Sequence, residues 1–201
     1  MENHPPNWHG KGYHYSTDGK LHDLWHWKAV RSNPMGLADD AFIGPPTPVY
    51  AGQRRYTAGY VNDAKLSGSY VMNWQWYKRD GHIIPKRLPK SRSENYFNQG
   101  KFQAPWFEYQ RYTAESDTFP TGTKIPSVLH TSNRIEGDRA DVAAKGVWEN
   151  GHWTLELARK INTGSEYDIE LTDGICMWFS AFDHSQIGHT RHTRPLTLRF
   201  Q

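Results

Sequence analysis

The sequence predicts an all-β fold, a β-sandwich with long loops and at most short helical turns. Apolar side chains recur with period two in several short runs. An Asn-Gly dipeptide separates two of these runs, as a tight hairpin turn would. No stretch of about ten residues keeps a 3.6-residue period between helix caps. Composition agrees: the chain has 9 Trp, 11 Tyr and 8 Phe, yet it is only 36% hydrophobic with a mean hydropathy of −0.84. Aromatic rings therefore have to supply much of the buried area. The 201 residues show no shift in composition along the chain, which predicts one domain spanning 1–201.

Residues 1–22, rich in His, Gly, Pro and Tyr, have no sustained period and are expected to be irregular. Leu21 to Val30 is expected to be a strand, with Trp25 and Trp27 on one face and His26 and Lys28 on the other. Residues 31–69 carry Asn33-Pro34, Gly36, Pro45-Pro46 and Pro48, which predicts a long connection with short extended pieces. Tyr70 to Tyr77 is a second expected strand, with Met72, Trp74 and Trp76 on one face. Val147–Glu149 and Trp153–Leu157 flank Asn150-Gly151 as a hairpin, with Trp153, Leu155 and Leu157 inward and Thr154 and Glu156 outward. Two more strands are expected, at about Ile175 to Phe182 and Leu196 to Phe200.

Charge excludes some functions. The 24 basic and 21 acidic side chains are interspersed rather than gathered into a basic stripe, so no nucleic-acid partner is expected. The densest basic segment, Lys86 to Arg92 with two prolines, is expected to be a solvated loop, with docking of a redox partner as its functional alternative. Cys176 is the only cysteine, which leaves no intramolecular disulfide and no Cys-x-x-Cys-His motif for thioether attachment of a haem. Met1-Glu2-Asn3-His4-Pro5-Pro6 has neither the charged nor the apolar region of a signal peptide. No segment approaches the roughly 18 apolar residues of a membrane span.

The 11 histidines gather in two groups: His4, His9, His14, His22 and His26 near the start, and His184, His189 and His192 near the end. The first and last strands of a sandwich can lie side by side or face each other, so the groups could ligate one cofactor from two sides. Solvent-exposed loop histidines are the plainer reading for most of them. A zinc site has little support, with no helical His-x-x-x-His and no paired cysteines. Hydrolytic motifs, a phosphate loop and a dinucleotide fingerprint are missing. Asp39-Asp40 is expected to lie at a turn as a capping pair or a weak calcium ligand, not as a catalytic pair. A calcium ion is compatible with every reading, but no pattern specifies one.

Asp23-Leu24-Trp25-His26-Trp27-Lys28-Ala29-Val30-Arg31-Ser32-Asn33-Pro34-Met35-Gly36, followed by Asp39-Asp40, resembles the Asp-Leu-Trp-His-Trp-Lys-Ala block of the haem-binding domain shared by ethylbenzene dehydrogenase and related gamma subunits. A second resemblance runs from Gly122-Thr123-Lys124-Ile125-Pro126, through Ala143–Lys160, to Phe179-Ser180-Ala181-Phe182-Asp183. Together they span roughly residues 12 to 201, and the Trp-His-Trp-Lys block is the more specific part. The resemblance implies an immunoglobulin-like, DOMON-like sandwich holding one non-covalent b-type haem. It also implies an exported, periplasmic electron carrier in a complex with a molybdenum and iron–sulfur enzyme or a multihaem cytochrome. The chain would then be an electron-transfer module and not an enzyme by itself.

Some members of the family that it resembles ligate iron with Met and Lys, the Met lying before the tryptophan block. Here that region reads Gly10-Lys11-Gly12-Tyr13-His14-Tyr15, which makes His14 the leading replacement. The opposite ligand is expected from Gly188–His192, with His192 favoured over His189. Met1 and His26 compete, Met1 because the chain begins inside the family pattern and is expected to lack N-terminal strands. Independently of the family, a haem needs aromatic walls and cationic partners for its propionates; Arg31, Arg191 and Arg194 suit the latter, and Trp25 and Trp27 suit the former. The rival readings are a carbohydrate-binding sandwich, with Trp8, Trp74, Trp76 and Trp106 stacking on sugars, and a haem-free structural subunit of a redox complex.

Overall fold

A computed structural model describes residues 16, 18–45, 60–63, 70–79, 82–90, 104–132, 135–182, 190–191 and 194–201. The described residues form β1 (His22–His26), β2 (Asp39–Ile43), β3 (Tyr60–Asn62), β4 (Tyr70–Met72), β5 (Trp74–Arg79), β6 (His82–Pro85), β7 (Arg87–Pro89) and β8 (Tyr109–Arg111). They continue with β9 (Val128–His130), β10 (Ala143–Glu149), β11 (His152–Ala158), β12 (Cys176–Met177), β13 (Ser180–Ala181), β14 (Thr190–Arg191) and β15 (Leu196–Thr197). Helical structure among them is confined to short 3-10 turns at Asn33–Met35, Trp106–Glu108 and Gly137–Ala140. The fold class is all-β, as the sequence predicts. No helix of the described residues is long and apolar enough to cross a membrane.

One antiparallel sheet has the order β1-β2-β3, and the remaining described strands pair antiparallel as β4–β9, β5–β6, β7–β8, β10–β11, β12–β15 and β13–β14. The β10–β11 hairpin follows the predicted register, turning on Asn150 (φ 50°) and Gly151 (φ 80°). Two positive φ angles in succession match the right-handed twist of the flanking strands.

Several expected strands are shorter than their periodicity suggests, each for a local reason. β1 stops at His26 because the next residues close a turn: the N–H groups of Ser32 and Asn33 both donate to the Lys28 carbonyl at 3.0 Å, and the Lys28 N–H donates to Ser32 Oγ at 2.9 Å. The run Tyr70 to Tyr77 breaks at Asn73, which is 2% exposed. Its side chain donates to the carbonyls of Pro126 and Arg87 and accepts from the Arg87 N–H, tying β4 and β5 to separate partners. Ile175 to Phe182 divides into β12 and β13, which pair with different strands, and the last strand is only two residues long.

Two expectations are corrected. Asp39 and Asp40 are not at a turn but inside β2, both fully buried. The basic stretch beginning at Lys86 is not a solvated loop where it is described: it contains β7, with Leu88 and Pro89 buried. Arg87 there donates to the Tyr109 carbonyl at 3.1 Å and stacks 3.8 Å from the Trp106 ring centroid.

The core beside β1 consists of Ala38, Val142 and Ala144, with Trp25, Trp27 and Leu157 packed on it. Trp27 meets Trp153 edge-on at 5.1 Å, so the inward direction read for Trp153 and Leu157 is observed. Trp153 and Leu155 nevertheless remain 47% and 40% exposed, because β10–β11 is a two-stranded ladder among the described residues. Asn33 fastens the loop after β1 to this hairpin: its Oδ1 accepts from Trp27 Nε1 at 3.1 Å and from the Gly146 N–H at 2.6 Å, while its Nδ2 donates to the Gly146 carbonyl at 3.0 Å.

That fastening needs a glycine. A Cβ on Gly146 would lie 2.2 Å from the Trp27 ring, where nothing can fit. Gly146→Ala is expected to displace the indole and cost about 2 kcal/mol, the middle of the range for overpacked sites. An unchanged denaturation midpoint for this variant would contradict the packing described.

Candidate functional site

The β1–β2 ladder sorts its residues onto two faces. His26 stands opposite Asp39, Trp25 opposite Asp40, and Asp23 opposite Phe42. Because successive side chains of a strand point to opposite sides, the adjacent Asp39 and Asp40 enter different environments.

Asp39 is the hub of a buried ionic group. Its Oδ1 receives the Arg139 guanidinium, with Nε at 3.0 Å and a terminal nitrogen at 2.9 Å; its Oδ2 accepts from the Tyr70 hydroxyl at 2.6 Å and from Lys28 Nζ. The side chains of Lys28, Arg139 and Asp39 are 9%, 7% and 1% exposed. Lys28, Arg31 and Arg139 also stand 5.6–6.0 Å from the Tyr70 ring centroid, a cation–π arrangement. Burial opposes ionisation of Asp39, but Lys28, Tyr70 and Arg139 together hold its carboxyl below the usual range. Burial pulls Lys28 down to about 8 against the pull of Asp39, and it pushes the Tyr70 hydroxyl above the ordinary phenol range.

His26 faces this group. Desolvation, then the charges of Lys28 and Arg31, lower its pKa to about 4, so its ring is neutral at neutral pH. Its ring centroid is 6.3 Å from that of Phe182, the residue following β13. This contact brings the end of β13 next to β1; His184, His189 and His192 lie outside the described residues. His130, paired with Tyr70 in the β4–β9 ladder, adds a second imidazole, with ring centroids 6.5 Å apart. It is 6% exposed, burial lowers its pKa, and its Nε2 has no hydrogen-bond partner among the described residues.

On the other face Asp23, Asp40, Asp63 and Asp168 gather around Arg159, whose guanidinium lies 5.0 Å from the Trp25 ring centroid. Phe42 stacks on Tyr167 beside them at 4.8 Å.

Of the residues singled out in the sequence, His26, Arg31, Trp25 and Trp27 are described. Arg31 joins the His26 face, whereas the contacts described for Trp25 and Trp27 are with the core and with Arg159. Met1, His14, His189 and His192 lie outside the described residues. Arg191 is described in its backbone alone, opposite Ser180, and Arg194 is exposed. Of the proposed sugar-stacking rings, Trp8 and the Trp76 side chain lie outside the described residues, Trp74 is half-buried, and one face of Trp106 is covered by Arg87. His130, Tyr70, Arg139, Asp63 and Asp168 were not visible as site residues in the sequence, since none belongs to a spaced motif, and Asp23 and Asp40 were visible only as parts of the family block.

A family model described as Ethylbenzene dehydrogenase matches residues 1–194. No curated protein and no solved structure gives a significant match.

Proposed function

The chain belongs to the ethylbenzene dehydrogenase family, and from that premise we propose that it is an electron-transfer module holding one non-covalent b-type haem, not a catalyst in its own right. The match over residues 1–194 is the observation that carries this reading, because it includes both histidine-rich segments and the Trp-His-Trp-Lys block. With Cys176 as the sole cysteine, the haem would have no paired thiols for covalent attachment.

The described residues fit such a group on the His26 face. A haem needs neutral nitrogen or sulfur donors, aromatic walls and positive charge near its propionates. This face carries the neutral His26 ring, His130 with its Nε2 unpartnered among the described residues, the rings of Phe182 and Tyr70, and the cation Arg31, while Lys28 and Arg139 are engaged with Asp39. We propose that His14 and His192 would hold the haem iron, with His189, His26 and Met1 as alternates, and that Arg31 and Arg191 would pair with its propionates. Trp25 and Trp27 would stiffen β1 from the core side, holding His26 in place. A bound haem supplies one-electron chemistry, and two strong protein ligands would leave no open position for oxygen. The residues around it would exclude water and set the charge that the electron meets.

The same proposal includes a single domain closed as a two-layered sandwich, a periplasmic location, and a larger redox complex with a molybdenum and iron–sulfur enzyme or a multihaem cytochrome as partner. Haem-supplied protein is expected to give a low-spin spectrum that sharpens on dithionite reduction. His14→Ala and His192→Ala are each expected to convert it to a high-spin form. A protein that takes up no haem would overturn the reading and bring forward the sugar-binding or structural alternatives.

A further inference from the structure

Four carboxylates converge where no sequence motif announces them. Asp23 comes from β1, Asp40 from β2, Asp63 from the residue after β3, and Asp168 from the loop after β11. Asp40 and Asp63 are buried, and the side chains of the half-buried Asp23 and Asp168 are 5% and 3% exposed. One oxygen each from Asp23, Asp40 and Asp168 lies within 4.8 Å of the others.

Three of the carboxylates are oriented through a single oxygen. Asp23 Oδ2 accepts from Arg159 and from the Ile169 N–H; Asp40 Oδ1 accepts from the Ala41 N–H at 3.1 Å; Asp168 Oδ2 accepts from the Thr163 hydroxyl. The second oxygens, Asp23 Oδ1, Asp40 Oδ2 and Asp168 Oδ1, receive no donor among the described residues. Asp63 is an independent observation pointing the same way. It is buried beside Asp168, held there by its backbone N–H on the Asp40 carbonyl at 3.4 Å, and neither of its oxygens receives a donor. Five buried carboxylate oxygens are thus without a hydrogen-bond donor, which in a native interior requires a partner.

The charges are equally unbalanced. Arg159, whose side chain is fully buried, pairs with Asp23 and Asp168. Asp40 and Asp63, both buried, have no ion pair of their own among the described residues.

We propose that Asp23, Asp40, Asp63 and Asp168 form a binding site for one calcium ion. An all-oxygen donor set without nitrogen or sulfur selects a hard cation over zinc or copper. Calcium takes six to eight oxygens at about 2.4 Å in adaptable geometry, whereas magnesium demands a near-ideal octahedron and keeps several waters. Two ligands on one ion at that distance can be at most about 4.8 Å apart, the limit within which the three ligand oxygens fall. Asp63, outside that trio but against Asp168, would add a further carboxylate, and water or backbone carbonyls would fill the remaining positions. The ion's role is structural. It ties β1, β2, the end of β3 and the loop before Ile169 together, and it fixes β2 from the face opposite to His26. The site does not depend on the haem reading.

The test uses the full chain, freed of metal by a chelator and dialysed. Calcium chloride is expected to bind in a calorimetric titration at one ion per chain and to raise the melting temperature by about 5–10 °C near saturation. Magnesium chloride at the same concentration is expected to give a much smaller shift. Asp63→Asn and Asp40→Asn are expected to abolish the calcium-dependent shift. Absence of calcium binding to the wild-type chain overturns the site whatever the variants do. An equal shift with magnesium overturns the choice of metal. A full calcium shift retained in folded Asp63→Asn overturns the ligand set. Haem uptake is read separately from the visible spectrum, so failure of one proposal is distinguishable from failure of the other.

Discussion

Asp39→Ala is expected to lower the unfolding free energy by about 3–5 kcal/mol, the largest effect of any single substitution considered for this protein. The cost does not come from the Coulomb energy of a pair alone. Lys28 and Arg139 have side chains 9% and 7% exposed and share this one carboxylate, and the Tyr70 hydroxyl donates to it as well. Removing the carboxylate leaves two cations and a hydroxyl desolvated without the anion they share, and a buried charge that loses its counter-ion costs far more than an intact pair contributes. Lys28, already brought to about 8 by burial, would lose the neighbour that opposes that fall and shift towards its neutral form. Asp39→Asn keeps the volume and one acceptor oxygen but not the charge, so its loss is expected to be intermediate. Denaturant titrations with the slope monitored would measure both variants. A loss under about 1 kcal/mol for Asp39→Ala would mean that the cations reach water easily and that the hub is not buried as described.

Acidification is expected to remove about 3 kcal/mol of stability through His26 alone. In the unfolded chain its imidazole takes a proton near pH 6.5, whereas in the fold burial and the charges of Lys28 and Arg31 hold that step down to about 4. Between these values the unfolded state binds a proton that the folded state does not, so stability falls as the pH falls through this window and is fully present above it. A shift of about 2.5 units corresponds to roughly 3 kcal/mol. Carboxylates titrate over part of the same range, so the informative quantity is the difference between wild type and His26→Gln. The variant is expected to show a shallower loss between pH 6.5 and 4. Parallel pH profiles for the two proteins would show that the His26 ring is solvated in the fold.

The legible part of this molecule was its local chemistry. Asn150-Gly151 has only a few conformations open to it, and the alternation on either side has one register that turns Trp153 and Leu157 towards Trp27 and the core, so the hairpin could be read directly. The Trp-His-Trp-Lys block likewise assigned Trp25 and Trp27 to one side of the chain and His26 and Lys28 to the other, and the contacts of these residues follow that division. The family resemblance carried by the same block is matched by the family over residues 1–194. Periodicity misled where one residue ended a pattern: Asn73 interrupts an apparently continuous strand because its amide is used by the backbones of Arg87 and Pro126.

The sequence by itself determined the all-β class, the hairpin, the two faces of the first strand and the lack of a Cys-x-x-Cys-His motif, because each depends on residues adjacent in the chain or on a simple count. Only the tertiary structure decided the fates of Asp39 and Asp40. As neighbours they read alike, but β-strand geometry turns one towards two cations and a tyrosine hydroxyl and the other towards three more carboxylates. It also decided that His130 would face Tyr70, that Phe182 would approach His26, and that aspartates as far apart as residues 23 and 168 would share one buried space. The physical reason is that burial and partnership of charge are set by contacts between segments far apart in the chain, and no local period records which segments will meet.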